Sequence, residues 1–303
     1  MIHSARSKAL CMVLGAGTLW SFGALTIRYM TEPQIYRWQY LFFRGLTIAL
    51  ILCAYLMVRD GSGFYRNFRK MGIPGFVGAF GLVGAFIGFI WSITLTTAAN
   101  TLFLYSTIPF IGAFLGIFIL GERLRLMTWV AMTIALIGIS VMVVEGLGTG
   151  NVLGTLTGLG SAFGFSVFSV SLRFRKEVPQ FAGIALAGIL CAILTAGIIH
   201  TQSGSVLMPV RNIALSMIHG SLVGVGLILF SFGSKHFPAA ELNLISLIEV
   251  VGGVVWVYLP VFGIHEVPSM LTIIGGSIVS GAILLNSLGP GNKPYRIPAK
   301  KSV

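Results

Sequence analysis

Charge is scarce in this sequence of 303 residues. Only 9% of the residues are charged, with 8 acidic against 20 basic side chains, and 56% are hydrophobic. In an average soluble domain about a quarter of the residues are charged. A soluble chain of this length could not cover its surface with so few charges, so the composition predicts an integral membrane protein.

Cysteine is also rare, with three residues, Cys11, Cys53 and Cys191. Each lies in or beside an apolar run, and their spacing matches neither a disulfide framework nor a zinc site. We therefore interpret them as packing residues, and we expect no metal and no cofactor.

The net charge of +12 raises the question of a nucleic-acid partner. Such a partner would require basic residues gathered on one folded face and interleaved with stacking aromatics. Here the basic residues lie in short gaps between apolar runs. Membrane topology explains this distribution better, and no nucleic-acid partner is expected.

Apolar runs of membrane-spanning length follow one another along the chain. A spanning helix needs about 20 mostly apolar residues. The stretches that meet this length are roughly 9–28, 36–58, 74–95, 99–120, 127–145, 152–172, 180–200, 214–234, 240–260 and 269–288. The first run follows Arg6 and Lys8, as in a signal peptide, but it continues past Gly23 without a clear cleavage site. We expect it to be retained as a helix.

The basic residues between these spans alternate from side to side. With the N-terminus in the cytoplasm, sixteen Lys and Arg residues fall on the cytoplasmic side. Three, Arg28, Arg37 and Arg211, fall on the opposite side, and Arg44 lies within the second span. Lys and Arg accumulate in cytoplasmic loops. The split predicts a multi-pass protein of the inner (plasma) membrane with both termini cytoplasmic.

The chain repeats itself at an offset of about 140–145 residues. The aligned residues are Trp20-Ser21 with Phe165-Ser166, Arg28 with Arg173, Ala98-Ala99-Asn100 with Ala239-Ala240-Glu241, and Glu122 with Glu266. Each half has five spans, and an odd number inverts the second half in the membrane. The sequence therefore predicts an all-α membrane protein with ten transmembrane helices in two five-helix inverted-topology repeats. These are residues 1–146 and 147–288, followed by a basic cytoplasmic tail, 289–303.

Two segments carry a family resemblance. The stretch "AANTLFLYSTIPFIGAFLGIFILGERL", followed by "WVAMTIALIGISVMV", resembles the EamA-type transporters of the drug/metabolite transporter superfamily. The second half is similar, with "PAAELNLISLIEVVGGVVWVYL" and "IIGGSIVSGAILL". It departs from the family in two places: Val250 stands where a proline often follows the glutamate, and "FGIHE" replaces a tight "GE".

The resemblance implies a secondary transporter that exports amino acids or other small metabolites by alternating access. Uptake of a vitamin or a nucleotide-like solute is the alternative. No GxxxxGK[ST] loop for ATP is present, so a gradient must supply the energy. An intramembrane enzyme is less favoured because the sequence has no HExxH motif and no pair of intramembrane aspartates. A channel is the third possibility.

Pro109 lies in the middle of the fourth span. It removes one backbone hydrogen bond and should kink the helix, which lipid tolerates only where protein or a cavity satisfies the freed groups. Glu122 and Glu266 follow the fourth and ninth spans. We interpret both as structural, pairing with a neighbour or capping the next helix.

The ninth span carries polar residues along one face, at Asn243, Ser246, Glu249 and Trp256. Glu249 should lie near the midplane, where a carboxylate costs several kcal/mol unless it is paired, hydrated or protonated. A structural Glu249 bonded to Arg44 is the alternative to a functional one. The predicted substrate-binding residues are Trp20, Ser21, Trp91, Tyr105, Pro109, Phe165, Asn243, Ser246, Glu249 and Trp256, with Glu249 and Arg44 as a coupling or ion pair.

His219 near the start of the eighth span could carry a proton, but a solvated histidine at a helix end is the preferred interpretation. Glycine pairs with GxxxG spacing, among them Gly84 and Gly88 and Gly160 and Gly164, should allow close helix contacts within the bundle. The expected partners are a small-molecule substrate and the lipid bilayer. A monomer is favoured, with a homodimer as the alternative.

Overall fold

The structure, a computed structural model, describes residues 2–121, 126–148, 151–174, 181–202, 204–237 and 239–288. Within these ranges the regular structure is entirely helical. The α-helices are α1 (Ile2–Arg28), α2 (Arg37–Asp60), α3 (Arg66–Lys70), α4 (Gly72–Leu95), α5 (Ala98–Tyr105), α6 (Ile108–Leu120), α7 (Leu126–Gly148), α8 (Val152–Phe174), α9 (Phe181–Thr201), α10 (Val210–Gly233), α11 (Ala239–Ser246), α12 (Ile248–Tyr258) and α13 (Met270–Leu288). The predicted tail and Glu122 lie outside the described residues.

Several of these helices are long and apolar enough to cross a bilayer. In the described part of the chain there are seven: Ala5–Arg28, Arg37–Gly63, Gly72–Leu95, Ala98–Leu120, Val152–Phe174, Phe181–Thr201 and Val210–Gly233. Three shorter apolar stretches, Trp129–Val141, Leu242–Tyr258 and Met270–Ala282, coincide with the fifth, ninth and tenth predicted spans. The chain is therefore an all-α, multi-pass membrane protein, and the count of ten spans stays a prediction.

Glycine allows α4 and α8 to approach each other closely. A Cβ atom on Gly164 would lie 2.4 Å from the carbonyl oxygen of Gly81, and one on Gly88 would lie 2.5 Å from that of Thr157. Side chains at these positions would force the helices apart, so the backbones touch only because the side chains are missing. The close contact predicted within the bundle is confirmed for Gly88 and Gly164.

The contacts between helices come in matched sets. α4 packs against α8 as α10 packs against α1, and α6 packs against α8 as α12 packs against α1. α2 packs against α9, and α7 packs against α13. If each span of one predicted half is replaced by the corresponding span of the other, the α4–α8 contact becomes α10–α1 and the α6–α8 contact becomes α12–α1. The α2–α9 and α7–α13 contacts remain the same.

Two helices at the centre of the bundle are each interrupted after a first segment of eight residues. Two residues separate α5 from α6, and Pro109 lies in the first turn of α6, as expected for a helix-breaking proline. A single residue, Leu247, separates α11 from α12, although Val250 occupies the position where a proline was expected. The second interruption therefore needs a cause other than proline.

Ser246 lies at this second interruption. Its hydroxyl donates to the carbonyl oxygen of Asn243 at 2.8 Å, and in a regular α-helix that oxygen would accept from the N–H of Leu247. The N–H of Leu247 donates instead to the carbonyl of Leu244 at 3.2 Å, one residue short of the α-helical partner. The same serine bond occurs within the continuous helices α8, at Ser171, and α10, at Ser216, so it accompanies the break and is not sufficient to cause it.

Helices α7 and α13 stand at the edge of the bundle. The main apolar core is shared by α1, α2, α4 to α6 and α8 to α12. A separate small cluster of Phe110, Ala131, Ala135 and Ala282 joins α7 and α13 to α6. The functional site described next is therefore enclosed by helices of the main core.

Candidate functional site

A small cavity of about 40 Å³ lies among α1, α2, α4, α5, α8, α10 and α12. It is lined by Trp20, Arg44, Ala85, Phe86, Phe89, Tyr105, Phe165, His219, Val223, Leu227 and Glu249. Both predicted halves contribute to this lining. A single water needs about 10–15 Å³, whereas pockets for small-molecule ligands span about 300–1,000 Å³. In this conformation the cavity has room for a few waters and not for a metabolite.

Arg44 provides the positive charge of the cavity. It lies in the middle of α2 with only 4% of its surface exposed, and its Cζ atom is 4.6 Å from the ring centroid of Phe86. Its Nε and Nη1 atoms are buried without a hydrogen-bond partner among the described residues. An arginine buried in a membrane bundle normally has such partners, so this guanidinium is short of acceptors.

Glu249 provides the negative charge of the same cavity. It lies in the first turn of α12, just after the break at Leu247, where the dipole of the new helix favours a carboxylate. The ion pairs of the described residues do not include one between Glu249 and Arg44. Arg44 and Glu249 therefore line the same cavity without a salt bridge to each other.

Aromatic rings form much of the remaining wall. The indole of Trp20 meets Phe165 edge-on, with ring centroids 5.6 Å apart, and its Nε1 donates to the carbonyl of Val223 at 3.4 Å. The ring of Phe89 lies 5.1 Å from that of Tyr105. The wall is therefore apolar, and contacts between the two predicted halves hold the ring of Trp20 in place.

Tyr105 is held by a short chain of hydrogen bonds. The hydroxyl of Ser161 donates to the carbonyl oxygen of Ala85 at 2.6 Å. Its single proton is thus engaged, so the Tyr105 hydroxyl is the donor in the 2.6 Å bond between the two side chains. This chain joins α5, α8 and α4 behind the cavity.

His219 lies in the bundle interior, and the prediction of a solvated histidine at a helix end is wrong. Its surface is 2% exposed, and its Nδ1 atom is 3.0 Å from the hydroxyl of Tyr40. The reason is the start of α10, which begins at Val210 rather than near residue 214. His219 therefore lies roughly 13 Å along the helix axis, well inside the membrane-spanning part.

The predicted site residues fall into two groups. Trp20, Tyr105, Phe165, Glu249 and Arg44 line the cavity. Ser21, Trp91, Pro109, Asn243, Ser246 and Trp256 are not part of the lining.

Ser21 and Trp256 contact each other beside the cavity lining, because Trp256 Nε1 donates to Ser21 Oγ at 2.9 Å. Asn243 accepts from Ser169 Oγ at 2.9 Å, and its Nδ2 would lie 2.7 Å from a Cβ placed on Gly112. These polar residues therefore bond between helices and leave the cavity to others.

Pro109 and Trp91 are placed differently again. Ser166 Oγ lies 3.1 Å from the carbonyl oxygen of Ile108, just before Pro109, but its single proton has a shorter bond, at 2.8 Å, to the carbonyl of Ala162 in its own helix. Trp91 lies under Arg37, whose Cζ is 4.1 Å from the ring centroid. It packs beside Trp38, with ring centroids 5.3 Å apart. This position is towards the end of α4, away from the cavity.

Phe86 and Phe89 are lining residues that the sequence did not single out. They lie three residues apart in α4, within the apolar run that precedes Ser92. Their spacing shows that they share a face of the helix. Gly88 lies on another face, against α8, so it does not indicate the face of the cavity. No polar residue in this run indicates which face meets the cavity.

Glu266 has the structural role that was predicted for it. Its carboxylate contacts Arg28 Nε at 2.5 Å and accepts from the backbone N–H of Ala98. Arg28 also donates to the carbonyl of Thr96 at 3.0 Å. Because Ala98 is the first residue of α5, Glu266 caps that helix. The predicted pairing with a neighbour is confirmed, although the helix that Glu266 caps is α5 and not α13, the next helix along the chain.

Comparison with known proteins bears on the fold and the family. A solved structure described only as "Crystal structure of protein" is 23% identical to this chain and superposes with a TM-score of 0.68; the match covers 93% of this chain and 98% of the other. This likeness establishes a shared fold. No curated protein sequence matches the chain. The model of the EamA-like transporter family matches residues 7–144, which supports the resemblance to the EamA-type transporters of the drug/metabolite transporter superfamily.

Proposed function

We propose that this protein is a secondary transporter that moves a small amphipathic zwitterion, an amino acid or a related metabolite, out of the cell across the inner (plasma) membrane. The observation that carries the proposal is the pair of opposite charges, Arg44 and Glu249, in one cavity without an ion pair between them. A zwitterion supplies the two groups that they lack, a carboxylate for Arg44 and an ammonium for Glu249.

The energetics support this pairing. A charged group within a membrane bundle costs several kcal/mol unless it is paired or hydrated. A solute carboxylate beside Arg44 would supply the missing acceptor as a charge-assisted hydrogen bond, which is about twice as strong as a neutral one. An ammonium group of the solute would likewise donate a charge-assisted hydrogen bond to Glu249. A solute with only one of these charges would leave the other protein charge uncompensated.

The aromatic wall supports an amphipathic solute. Trp20, Phe86, Phe89 and Phe165 surround the charges, and ligand sites typically combine apolar walls with a few polar groups that fix orientation. The small volume supports a closed conformation of the carrier, since an open site would need room for the solute.

The architecture supports alternating access by two inverted repeats, residues 1–146 and 147–288. Transporters of this kind place broken helices at the interface between their repeats, and here α5–α6 and α11–α12 are broken at corresponding positions. Side chains correspond as well: Arg28 donates to the carbonyl of Thr96, and Arg173 donates to that of Phe237 at 2.7 Å. The lining of the cavity by one chain supports a monomer as the functional unit.

The test is transport by the purified protein in proteoliposomes, under an imposed proton or sodium gradient. The probes are phenylalanine, N-acetylphenylalanine, which lacks the ammonium, and phenylalaninamide, which lacks the carboxylate. We expect saturable transport of phenylalanine alone. Equal transport of all three would contradict the zwitterion site, and a chemically altered product would indicate an enzyme.

Two arginine variants distinguish the loss of the cavity cation from the loss of a positive charge elsewhere in the protein. Arg44→Gln removes the cavity cation and should abolish saturable transport of phenylalanine. Arg37→Gln removes a cation that lies over Trp91, outside the cavity, and should leave the KM unchanged. Equal losses in the two variants would show that the effect does not come from the cavity.

A further inference from the structure

A chain of three buried hydrogen-bonding side chains runs from α1 through α2 to His219. The hydroxyl of Thr26 donates to the carbonyl oxygen of Gly23 at 2.7 Å. The Thr26 and Tyr40 oxygens are 3.1 Å apart, and the Tyr40 oxygen is 3.0 Å from Nδ1 of His219. The three side chains are 7%, 0% and 2% exposed. No bulk water competes for these bonds.

Counting protons along this chain assigns every donor. A threonine hydroxyl has one proton, and the short bond to Gly23 uses it, so Thr26 can only accept from Tyr40. The Tyr40 proton is then used as well, and its oxygen can only accept from His219. Nδ1 of His219 must therefore carry a hydrogen. In the neutral imidazole this leaves Nε2 unprotonated, as a hydrogen-bond acceptor.

We propose that Thr26 and Tyr40 fix the tautomer of His219 so that its Nε2 atom accepts a hydrogen bond from the ammonium group of the transported solute. The identity of the donor rests on the function proposed above, whereas the tautomer rests on the hydrogen bonds alone. Thr26 and Tyr40 lie outside the cavity lining and act as positioning residues through the imidazole.

The surroundings of the ring fit an acceptor. His219 forms part of the cavity wall together with Arg44, Glu249 and Tyr105. Nε2 has no hydrogen-bond partner among the described residues, and it lies over Gly23, where a Cβ would come within 2.7 Å of it. The neutral ring avoids a second cation beside Arg44. The cavity then offers acceptors from His219 and Glu249 to an ammonium, and Arg44 to a carboxylate.

Removing the Thr26 hydroxyl should move the imidazole hydrogen of His219 from Nδ1 to Nε2. In Thr26→Val the shape of the side chain is kept, but Tyr40 loses its acceptor. Its proton is then free to bond Nδ1 of His219, and the imidazole hydrogen moves to Nε2. A donor would replace the acceptor at the position of the solute ammonium. The tautomer tests the hydrogen-bond chain, and transport tests whether the Nε2 acceptor takes part in binding.

The direct test is ¹⁵N NMR of histidine-labelled protein in nanodiscs, because protonated and unprotonated ring nitrogens give distinct signals. The chain has 5 histidines, and a His219→Gln sample identifies the signal of His219. We expect the Nδ1–H tautomer in the wild type and in Thr26→Ser, and the Nε2–H tautomer in Thr26→Val. An Nε2–H tautomer in the wild type overturns the proposal, even if Thr26→Val does not fold.

Transport gives the second measurement. For phenylalanine we expect the KM to rise about tenfold in Thr26→Val, the loss of one hydrogen bond to a charged group, and Thr26→Ser to restore it. The control is Thr18→Val, which removes an exposed hydroxyl bonded within the same helix. An unchanged KM despite a reversed tautomer overturns the role in binding. Absence of zwitterion transport in the wild type, with the expected tautomer, refutes the proposed function while supporting the tautomer assignment.

Discussion

Replacing Glu249 by glutamine changes the charge of the cavity with almost no change of shape. Glu249 is the acidic residue of the cavity lining, and in the proposed complex it accepts a charge-assisted hydrogen bond from the solute ammonium. Such bonds contribute about 1.5–3 kcal/mol. Since about 1.4 kcal/mol corresponds to a factor of ten, the KM for phenylalanine should rise roughly ten- to a hundredfold in Glu249→Gln.

The measurement is initial-rate transport into proteoliposomes between pH 5.5 and 8.5, with protein amount and Tm matched to the wild type. If Glu249 also carries the coupled proton, the gradient should no longer drive accumulation, and the pH dependence should flatten. The matched control is Glu32→Gln, which removes an exposed carboxylate between α1 and α2. Unchanged KM and pH profile in Glu249→Gln would refute the assignment of this carboxylate to binding or coupling.

Three further predictions test the frame around the site. Glu266→Gln weakens the contact with Arg28 and the cap of α5. The free energy of unfolding should fall by about 0.5–2 kcal/mol and Tm should fall with it, while KM stays constant. A raised KM at constant Tm would contradict the structural role of Glu266. Gly164→Ala should destabilise the protein by about 1–3 kcal/mol through overpacking, whereas Gly160→Ala, which has open space, should not; equal Tm values would contradict this. In a background without native cysteines, a label at Ser62→Cys should react only from the cytoplasmic side, and reaction from outside would refute the topology.

The class of the fold could be predicted from the sequence because the bilayer excludes charged residues from the spans and sets the length of the apolar runs. The break before α6 was foreseeable from Pro109. The break before α12 was not, because no proline marks it and the bond that Ser246 makes to the backbone also occurs in unbroken helices. The repeat was the signal that could have indicated it, since the two breaks lie at corresponding positions.

The candidate site was only partly predictable for a related reason. Arg44 and Glu249 stand out because charges within spans are costly. Lipid is as apolar as the helix interfaces, so an apolar run does not show which face is buried. Phe86 and Phe89 were therefore missed, and Trp91, an aromatic of the same helix, was selected instead. His219 was misplaced because the start of α10 was set four residues too late.

The small size of the cavity has a consequence for the motion that solute binding requires. Pockets that hold small molecules span about 300–1,000 Å³, whereas the walls here leave a space of about 40 Å³. The helices that carry Trp20, Phe86, Phe89 and Phe165 must therefore separate before a metabolite can lie beside Arg44 and Glu249. Solute binding should thus be coupled to a displacement of these helices.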